Sequence, residues 1–470
     1  MASKQDKNPK NKNAERMSPL EMRASASLAS IYGLRMLGMF LILPIFAIYA
    51  NTLPGGSSQL LVGLALGAYG LTQAIFQLPF GMASDKFGRK RVIYFGLLVF
   101  VIGCVVAAQA SDIYGIIIGR ALQGAGAVSA AVMALVADST REEHRTKAMA
   151  MIGSTIGLTF ALSLILGPVL NQWIGVPGIF ALTGVLAALA ILVVKFIVPD
   201  PGNSHFHSDT QAVPAKLKDV LQNPQLLRLN FGIFALHAAQ MAMFLVVPFA
   251  IKQSSGMGVN DHWLIYLPVL LLSFVVMVPA IIIGETRAKL KQVFVSAIAL
   301  MLGAQLLFAS SITHFWGIVI SLGVYFIAFN ILEATLPSII SKIAPAAFKG
   351  TAMGVYNTAQ SLGIFTGGLV GGFLSHYYGY AAVFSFCSVL MALWLFFAIS
   401  MQAPPAVRTK MYHLEKISAA DAKILSDKLS QLAGVRETTV IAEEGLIVLK
   451  VDMKQEWDEQ LVLNLIEQAH

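Results

Sequence analysis

The chain of 470 residues is 56% hydrophobic and only 12% charged. An ordinary globular domain is roughly 25% charged, so a soluble protein built round one core is excluded. The formal charge is +8, but the bases gather on alternate connections between apolar runs, a pattern of membrane topology and anionic-lipid contact rather than of a nucleic-acid surface.

Residues 1–27 are polar and basic, too long and too far from a small-residue cleavage site for a signal peptide, and read as a cytoplasmic arm. Apolar stretches of about the 20 residues that a hydrocarbon core demands then recur. Twelve are predicted as membrane helices, at 28–50, 60–81, 91–109, 113–137, 148–171, 178–198, 228–251, 263–284, 292–311, 315–340, 351–374 and 380–401. Cys104 and Cys387 fall inside them with no CxxC or histidine cluster nearby, so buried thiols are expected, and no disulfide, metal or cofactor.

Lys86, Arg89, Lys90 and Arg91 occupy the second connection, and bases near 141–147, 216–228, 287–291 and 342–349 fall on the same side, Lys252 being the exception. By the positive-inside rule both termini are cytoplasmic. A polar stretch at 199–227 divides a six-helix bundle at 28–198 from another at 228–401. A shift of 204 residues sets Ala148 and Met149 on Ala352 and Met353, and Gly167 on Gly371. Such duplication builds secondary transporters with a site between the halves.

After a short linker at 402–409 the composition changes: from 410 onward eleven acids meet seven bases, −4 in all, which leaves +12 on the rest. "MYHLEKI" reads as a strand, and Ser418 with Asp421 as a capping box opening a helix with Ile424, Leu425, Leu429 and Leu432 on one stripe. Val435–Ala442, the turn "EEG" and alternating Ile447, Leu449 and Val451 predict a hairpin, and Leu461, Val462, Leu465 and Ile466 a second helix. The order βαββα predicts a small α+β ferredoxin-like cytoplasmic domain at 410–470, suited to self-association, a partner or regulation.

The stretch "GMASDKFGRKR" fits G-x-x-x-D-[RK]-x-G-R-[RK] through Gly81, Asp85, Lys86, Gly88, Arg89 and Lys90. It resembles the loop between spans 2 and 3 of the major facilitator superfamily. "GRALQGAGAV", with Arg120, Gln123, Gly124 and Gly126, is similar to the span 4 motif of that family's proton-coupled members. "LSLILGPVLNQ" resembles the antiporter motif of span 5, but has Ser163 in place of a Gly and Asn171 with Gln172 in place of its last pair. With "GLRMLGMFLILP" in span 1 and the tail, the chain looks most like the YajR branch of the drug:proton antiporters. The resemblance implies an all-α membrane fold of twelve helices in two halves, embedded in the lipid of a bacterial inner membrane. It also implies that Asp85 faces the start of span 11 near Thr351 when the transporter is open outward, and that Arg89 pairs with Asp85 or with Asp138.

A charge at mid-bilayer costs several kcal/mol, of order 2.5 to 3.5 on insertion scales, so buried ionisable residues are candidates for function. Glu333 in span 10 is expected to carry a proton or to pair a cation, and His237 in span 7 to relay a proton or to sit as a bonded core histidine. Arg120 is the residue the span 4 resemblance marks for coupling protonation to movement; Arg35 either shares that task or snorkels from its end of span 1.

Tyr69, Gln73, Phe76 and Gln77 recur on one predicted face of span 2. Together with Met36, Met39 and Phe40, with Gln123 and Asn330, and with Tyr356, Asn357 and Gln360, they are expected to line a substrate cavity or to pack helices. Soft and aromatic walls suit small amphipathic compounds. Gly153, Gly157, Gly167, Gly363, Gly367 and Gly371 are expected to let helices approach, and Pro168 to bend span 5. The expected activity is proton-coupled export of a small molecule by alternating access. A symporter or facilitator of the same fold, and a membrane sensor acting through the tail, are the alternatives. No nucleotide-binding loop and no nucleophile with its base point to an enzyme.

Overall fold

The computed structural model describes residues 17–126, 128–200, 217–345, 349–404, 407–413, 418–442, 445–452, 455 and 457–467. α1 (Pro19–Phe40) starts at a capping box: Ser18 accepts from the Glu21 amide, Glu21 reaches back to the Ser18 amide, and Pro19 takes the first turn. Pro44 opens α2 (Leu43–Ala50), so span 1 is built in two pieces. α3 (Gln59–Phe87) is capped by Ser58 and stops at Gly88, whose φ of 94° suits glycine and starts α4 (Arg89–Gln109). α5 (Ile113–Ala125), capped by Asp112, and α6 (Ser129–Asp138) flank a break at Gly126.

α7 (Glu142–Phe196) is two helices joined at Gly175, where φ is 66° and ψ 175°, two residues ahead of Pro177. The second half comprises α8 (Leu217–Gln222), α9 (Pro224–Ser255), α10 (Trp263–Thr286), α11 (Leu290–Ser311), α12 (Phe315–Ile343), α13 (Lys349–Tyr378) and α14 (Tyr380–Ile399). By length and composition ten segments of the described residues could cross a membrane, the folded α7 being one of them. α13 is outside that set but sits at the centre of the bundle, packed along both α3 and α9. Its glycines lower its apolarity and admit its neighbours.

The tail has β1 (Val407–His413), α15 (Ala419–Ser430), β2 (Val435–Ile441), β3 (Leu446–Asp452) and α16 (Glu459–Glu467). Its three strands form an antiparallel sheet in the order β1-β3-β2. The first strand begins four residues before "MYHLEKI", because β3 offers partners as far as Asp452 and Val407 pairs with it; residues 414–417 lie outside the described residues. Leu425, Leu429, Ile447, Leu449, Val451, Val462 and Ile466 make the small core. Beside it the Glu459 carboxylate accepts from the Tyr412 hydroxyl at 2.8 Å and Lys410 Nζ at 3.1 Å. Those two bonds, Tyr412's the larger, hold its carboxyl below the usual range.

One lysine ties the tail to the bundle. Lys450 on β3, 7% exposed, pairs with Glu437 at 2.7 Å and donates to the carbonyls of Ala344 at 3.2 Å and Lys342 at 3.5 Å. A cation there complements the carbonyl end of α12. A cavity lined by Gln225, Lys342, Gln402, Arg436 and Lys450 adjoins the contact, so the junction is polar rather than a dry apolar seam. Hydrogen bonds to a charged group contribute about 1.5 to 3 kcal/mol. Lys450→Glu should therefore raise the undocked fraction by roughly tenfold or more, read as cleavage of the 402–406 linker at lower protease concentration. Unchanged cleavage would mean that this contact does not hold the tail.

Candidate functional site

Within the first half, two arginines lie deep among apolar side chains. Arg35 on α1 is 2% exposed and donates from Nη1 to Ser129 Oγ at 2.6 Å. Arg120 on α5 is fully buried and donates from Nη1 to Gln123 Oε1 at 2.9 Å, while Gln123 Nε2 lies 3.3 Å from Cys104 Sγ. Both guanidiniums lie over the Tyr69 ring of α3, their central carbons 5.8 and 4.9 Å from its centroid. The ring's negative face offsets part of the charge.

Among the described residues neither arginine meets an acid. The sequence holds no Asp or Glu at 22–84, 86–111 or 113–137. Among the described residues the ion pairs of this half include Arg89 with Asp85 and Asp138, Lys90 with Asp200 and Arg141 with Glu21, all at helix ends. Nε and Nη2 of both arginines have no hydrogen-bond partner. Two like charges that share one ring, at most ~11 Å apart, repel by roughly 1.5 kcal/mol at an effective dielectric near 20. Desolvation adds several kcal/mol for each.

The second half carries the opposite charge. His237 on α9 is 4% exposed, with Nδ1 3.3 Å from the Ile233 carbonyl and Nε2 2.8 Å from Gln360 Nε2 on α13. The pattern fits a neutral ring with its proton on Nδ1, accepting at Nε2 from the Gln360 amide. Glu333 Oε2 on α12 is 3.8 Å from the same Nε2 and has no hydrogen bond, although a third of the side chain stays open. A proton arriving at Nε2 would turn that nitrogen into a donor, which Gln360 Nε2 cannot accept and Glu333 can. Phe329 stands against the imidazole at 6.0 Å and Tyr325 stacks on Phe329 at 5.7 Å.

Phe160 of α7 connects the halves through Phe40 at 5.1 Å, Phe329 at 5.6 Å, Phe326 at 6.3 Å and Phe244 at 6.4 Å. Met36, Met39, Gln73, Gln77 and Tyr356 are buried, and Asn330 is buried with Nδ2 donating to Ser273 Oγ at 2.7 Å. Asn357 and Gln360 are half-buried. Phe76, on the same predicted face, is 40% exposed and turns edge-on to Phe80, which stacks on Phe95. Sequence reasoning missed Ser129, Ser273, Phe160 and Phe329, none of which carries a charge or motif to mark it, and expected Cys104 only as a buried thiol.

At the end of the bundle that carries the termini, Arg89 binds three groups at once. It pairs with Asp85, donates from Nη1 to Ser84 Oγ at 2.7 Å, and donates from Nε to Asp138 Oδ2 at 3.0 Å. The Asp138 side chain is fully buried and that of Asp85 is two-fifths exposed, so the relay runs from the helix junction outward. A Cβ at Gly81 would meet only Ala130, and one at Gly88 nothing, so Gly88 is required by its backbone angle alone.

The glycines divide. A Cβ at Gly63 would run into the carbonyl of Gly368, and one at Gly368 into that of Gly63, so α3 and α13 touch backbone to backbone. Gly363 and Gly367 hold α13 in the same way against Phe234 and Ala238 of α9, and Gly371 faces Ala242. Gly167, just ahead of Pro168, meets the Leu41 carbonyl. At Gly153 and Gly157, nearer the termini, an added Cβ meets nothing. At the far end Asn171 Nδ2 donates across the halves to Asn260 Oδ1 at 2.7 Å.

Residues 28–368 and 290–428 match the family model described as Major Facilitator Superfamily. The chain is 42% identical over 442 residues to the "Inner membrane transport protein YajR" of Escherichia coli strain K12, covering 94% of this chain and 97% of that one. Over 153 residues, 32% of this chain and 37% of the other, it is 30% identical to the class B tetracycline resistance protein of Escherichia coli. Among solved structures, a bacterial homologue of the human lysosomal transporter Spinster, inward-facing and occupied, shares the fold. Its TM-score is 0.65 at 13% identity, over 82% of this chain and 97% of that one.

Proposed function

Since the chain belongs to the Major Facilitator Superfamily, we propose that it is a proton-coupled secondary transporter of a bacterial inner membrane, exporting a small amphipathic compound by alternating access. The observation that carries the reading is the His237, Glu333 and Gln360 cluster, three polar side chains from α9, α12 and α13 inside an apolar half. An acid with one enclosed, unbonded oxygen and one open flank can exchange a proton with water and then with the imidazole. The relatives named as a transport protein and a resistance protein support transport rather than catalysis.

Twelve spans follow when α7 counts twice and α13 is added to the helices that meet the composition test. Both termini then lie on the cytoplasmic side, as the basic connections require. The sheet order β1-β3-β2 is that of a ferredoxin-like domain without its fourth strand, and supports that reading of the tail. Contacts across the halves at the far end, with open glycines near the termini, fit a conformation facing the cytoplasm. The Asp85, Arg89 and Asp138 relay is the latch at that mouth.

The transport reading is tested in proteoliposomes: an imposed pH gradient should drive flux of a compound found by ligand-induced thermal stabilisation, and collapse of the gradient should stop it. Flux indifferent to the gradient would leave a facilitator. The latch has its own test. Asp85→Asn removes one charged partner of Arg89, worth about 1.5 to 3 kcal/mol at such a bond. Turnover should fall about tenfold or more with expression unchanged, and normal turnover would remove Asp85 from the cycle.

A further inference from the structure

We propose that the transported compound is a small organic anion, an aromatic or branched carboxylate, whose charge is taken by Arg35 and Arg120 across the Tyr69 ring. This rests on the transport reading and deepens it. Two nine-tenths buried guanidiniums from α1 and α5 share one ring, and each leaves Nε and Nη2 without a partner. Three of their neighbours, Ser129, Gln123 and Tyr69, are neutral, and the acids of α3 and α6 are drawn off to Arg89 at the helix ends. An unpaired guanidinium presents a planar fork of donors that matches a carboxylate.

The second half supplies no such counter-ion: its interior acid, Glu333, stands by His237. The halves thus divide the work by sign, with cations for the cargo and an acid for the proton. The apolar part of the cargo meets Phe40 and the rings joined to it through Phe160. Both arginines are closed off in this conformation, so the anion reaches them when the helices rearrange during the cycle. An anion leaving as a proton enters moves the equivalent of two positive charges inward, so an interior-negative membrane potential and an inward proton gradient both drive export of this cargo.

The test uses the full chain in lipid nanodiscs and three probes of one shape: 1-naphthoate, 1-naphthamide and 1-naphthylmethylammonium. Radiolabelled 1-naphthoate should be retained, and the amide and the cation should fail to displace it. Arg35→Gln and Arg120→Gln should each weaken retention by about thirtyfold or more, the loss that follows removal of one partner of a buried charge pair. Arg120→Lys should keep part of it. Equal retention of all three probes by the unaltered chain, or no retention of the anion, overturns the proposal without recourse to a variant. So does undiminished binding in the double variant. Proton flux measured on the same preparation separates the two readings: flux without anion selectivity sinks the cargo assignment alone, and anion-selective binding without flux sinks the proton coupling.

Discussion

Glu333→Gln should abolish transport driven by a pH gradient while leaving exchange of labelled for unlabelled substrate across the same membrane. Glutamine keeps the size and hydrogen-bonding shape of the side chain but cannot titrate, so the change isolates the proton. The geometry makes the demand specific. Glu333 Oε2 faces His237 Nε2 at 3.8 Å, and that nitrogen already accepts from Gln360 at 2.8 Å. Protonating the ring therefore requires either the carboxylate or a turned Gln360 amide to take the new donor. A general acid or base contributes typically 10²- to 10⁴-fold, so gradient-driven flux should drop by about 100-fold or more. His237→Gln should slow it less, because Glu333 keeps its open flank. Undiminished gradient-driven flux in Glu333→Gln would place the proton elsewhere.

What the sequence made legible follows the range of each interaction. The 81–91 motif is local: Asp85 and Arg89 are four residues apart across the break at Gly88, and the family resemblance offered Asp85 or Asp138 as the partner of Arg89, which pairs with both. The break at Gly126 divides a stretch, 113–137, that reads in sequence as one span, and the starts at Ser58 and Asp112 are set by those cap residues themselves. The tail's helices and hairpin could be read from their periods, whereas the start of β1 could not, since its extent is set by the length of β3 opposite. Partners far apart in sequence were hidden. Gln360 and His237 are 123 residues apart, and Arg35 and Ser129 are 94 apart. The arginines could be picked out as charges in an apolar run, but their lack of an acid appears only when the helices around them are assembled.

Burial changes along one helix face for a related reason. Phe76 shares the helical face of Tyr69, yet Tyr69 is fully buried and Phe76 is 40% exposed. Along α3 the first three to four turns meet α13 through Gly63, Gly67 and Gly70; farther along, Leu78 faces Gly354 of α13 while Phe76 and Phe80 turn to Phe95 of α4. Periodicity gives the direction of a side chain but not the neighbour it meets at that height.

The glycines show the same limit with the larger consequence. Gly63→Ala and Gly368→Ala should each lower thermal stability and stop transport, although alanine is the better helix former. Each new methyl would meet a backbone carbonyl of the facing helix, which cannot rotate away as a side chain can. Overpacking of this kind costs typically 1 to 3 kcal/mol, roughly a 1 to 3 °C fall in Tm for a chain of this size. Gly153→Ala and Gly157→Ala should do the reverse. Both positions face open space, and replacing a helical glycine gains about 0.5 to 1 kcal/mol. If those two glycines meet another helix only in the opposite conformation, the substitutions will raise Tm yet slow turnover, because they would stabilise this state and obstruct the other. Thermal unfolding and proteoliposome flux measured on the same four variants separate the outcomes. A loss of stability at Gly153 or Gly157, or none at Gly63 and Gly368, would overturn the division of the glycines into a permanent seam and an open one.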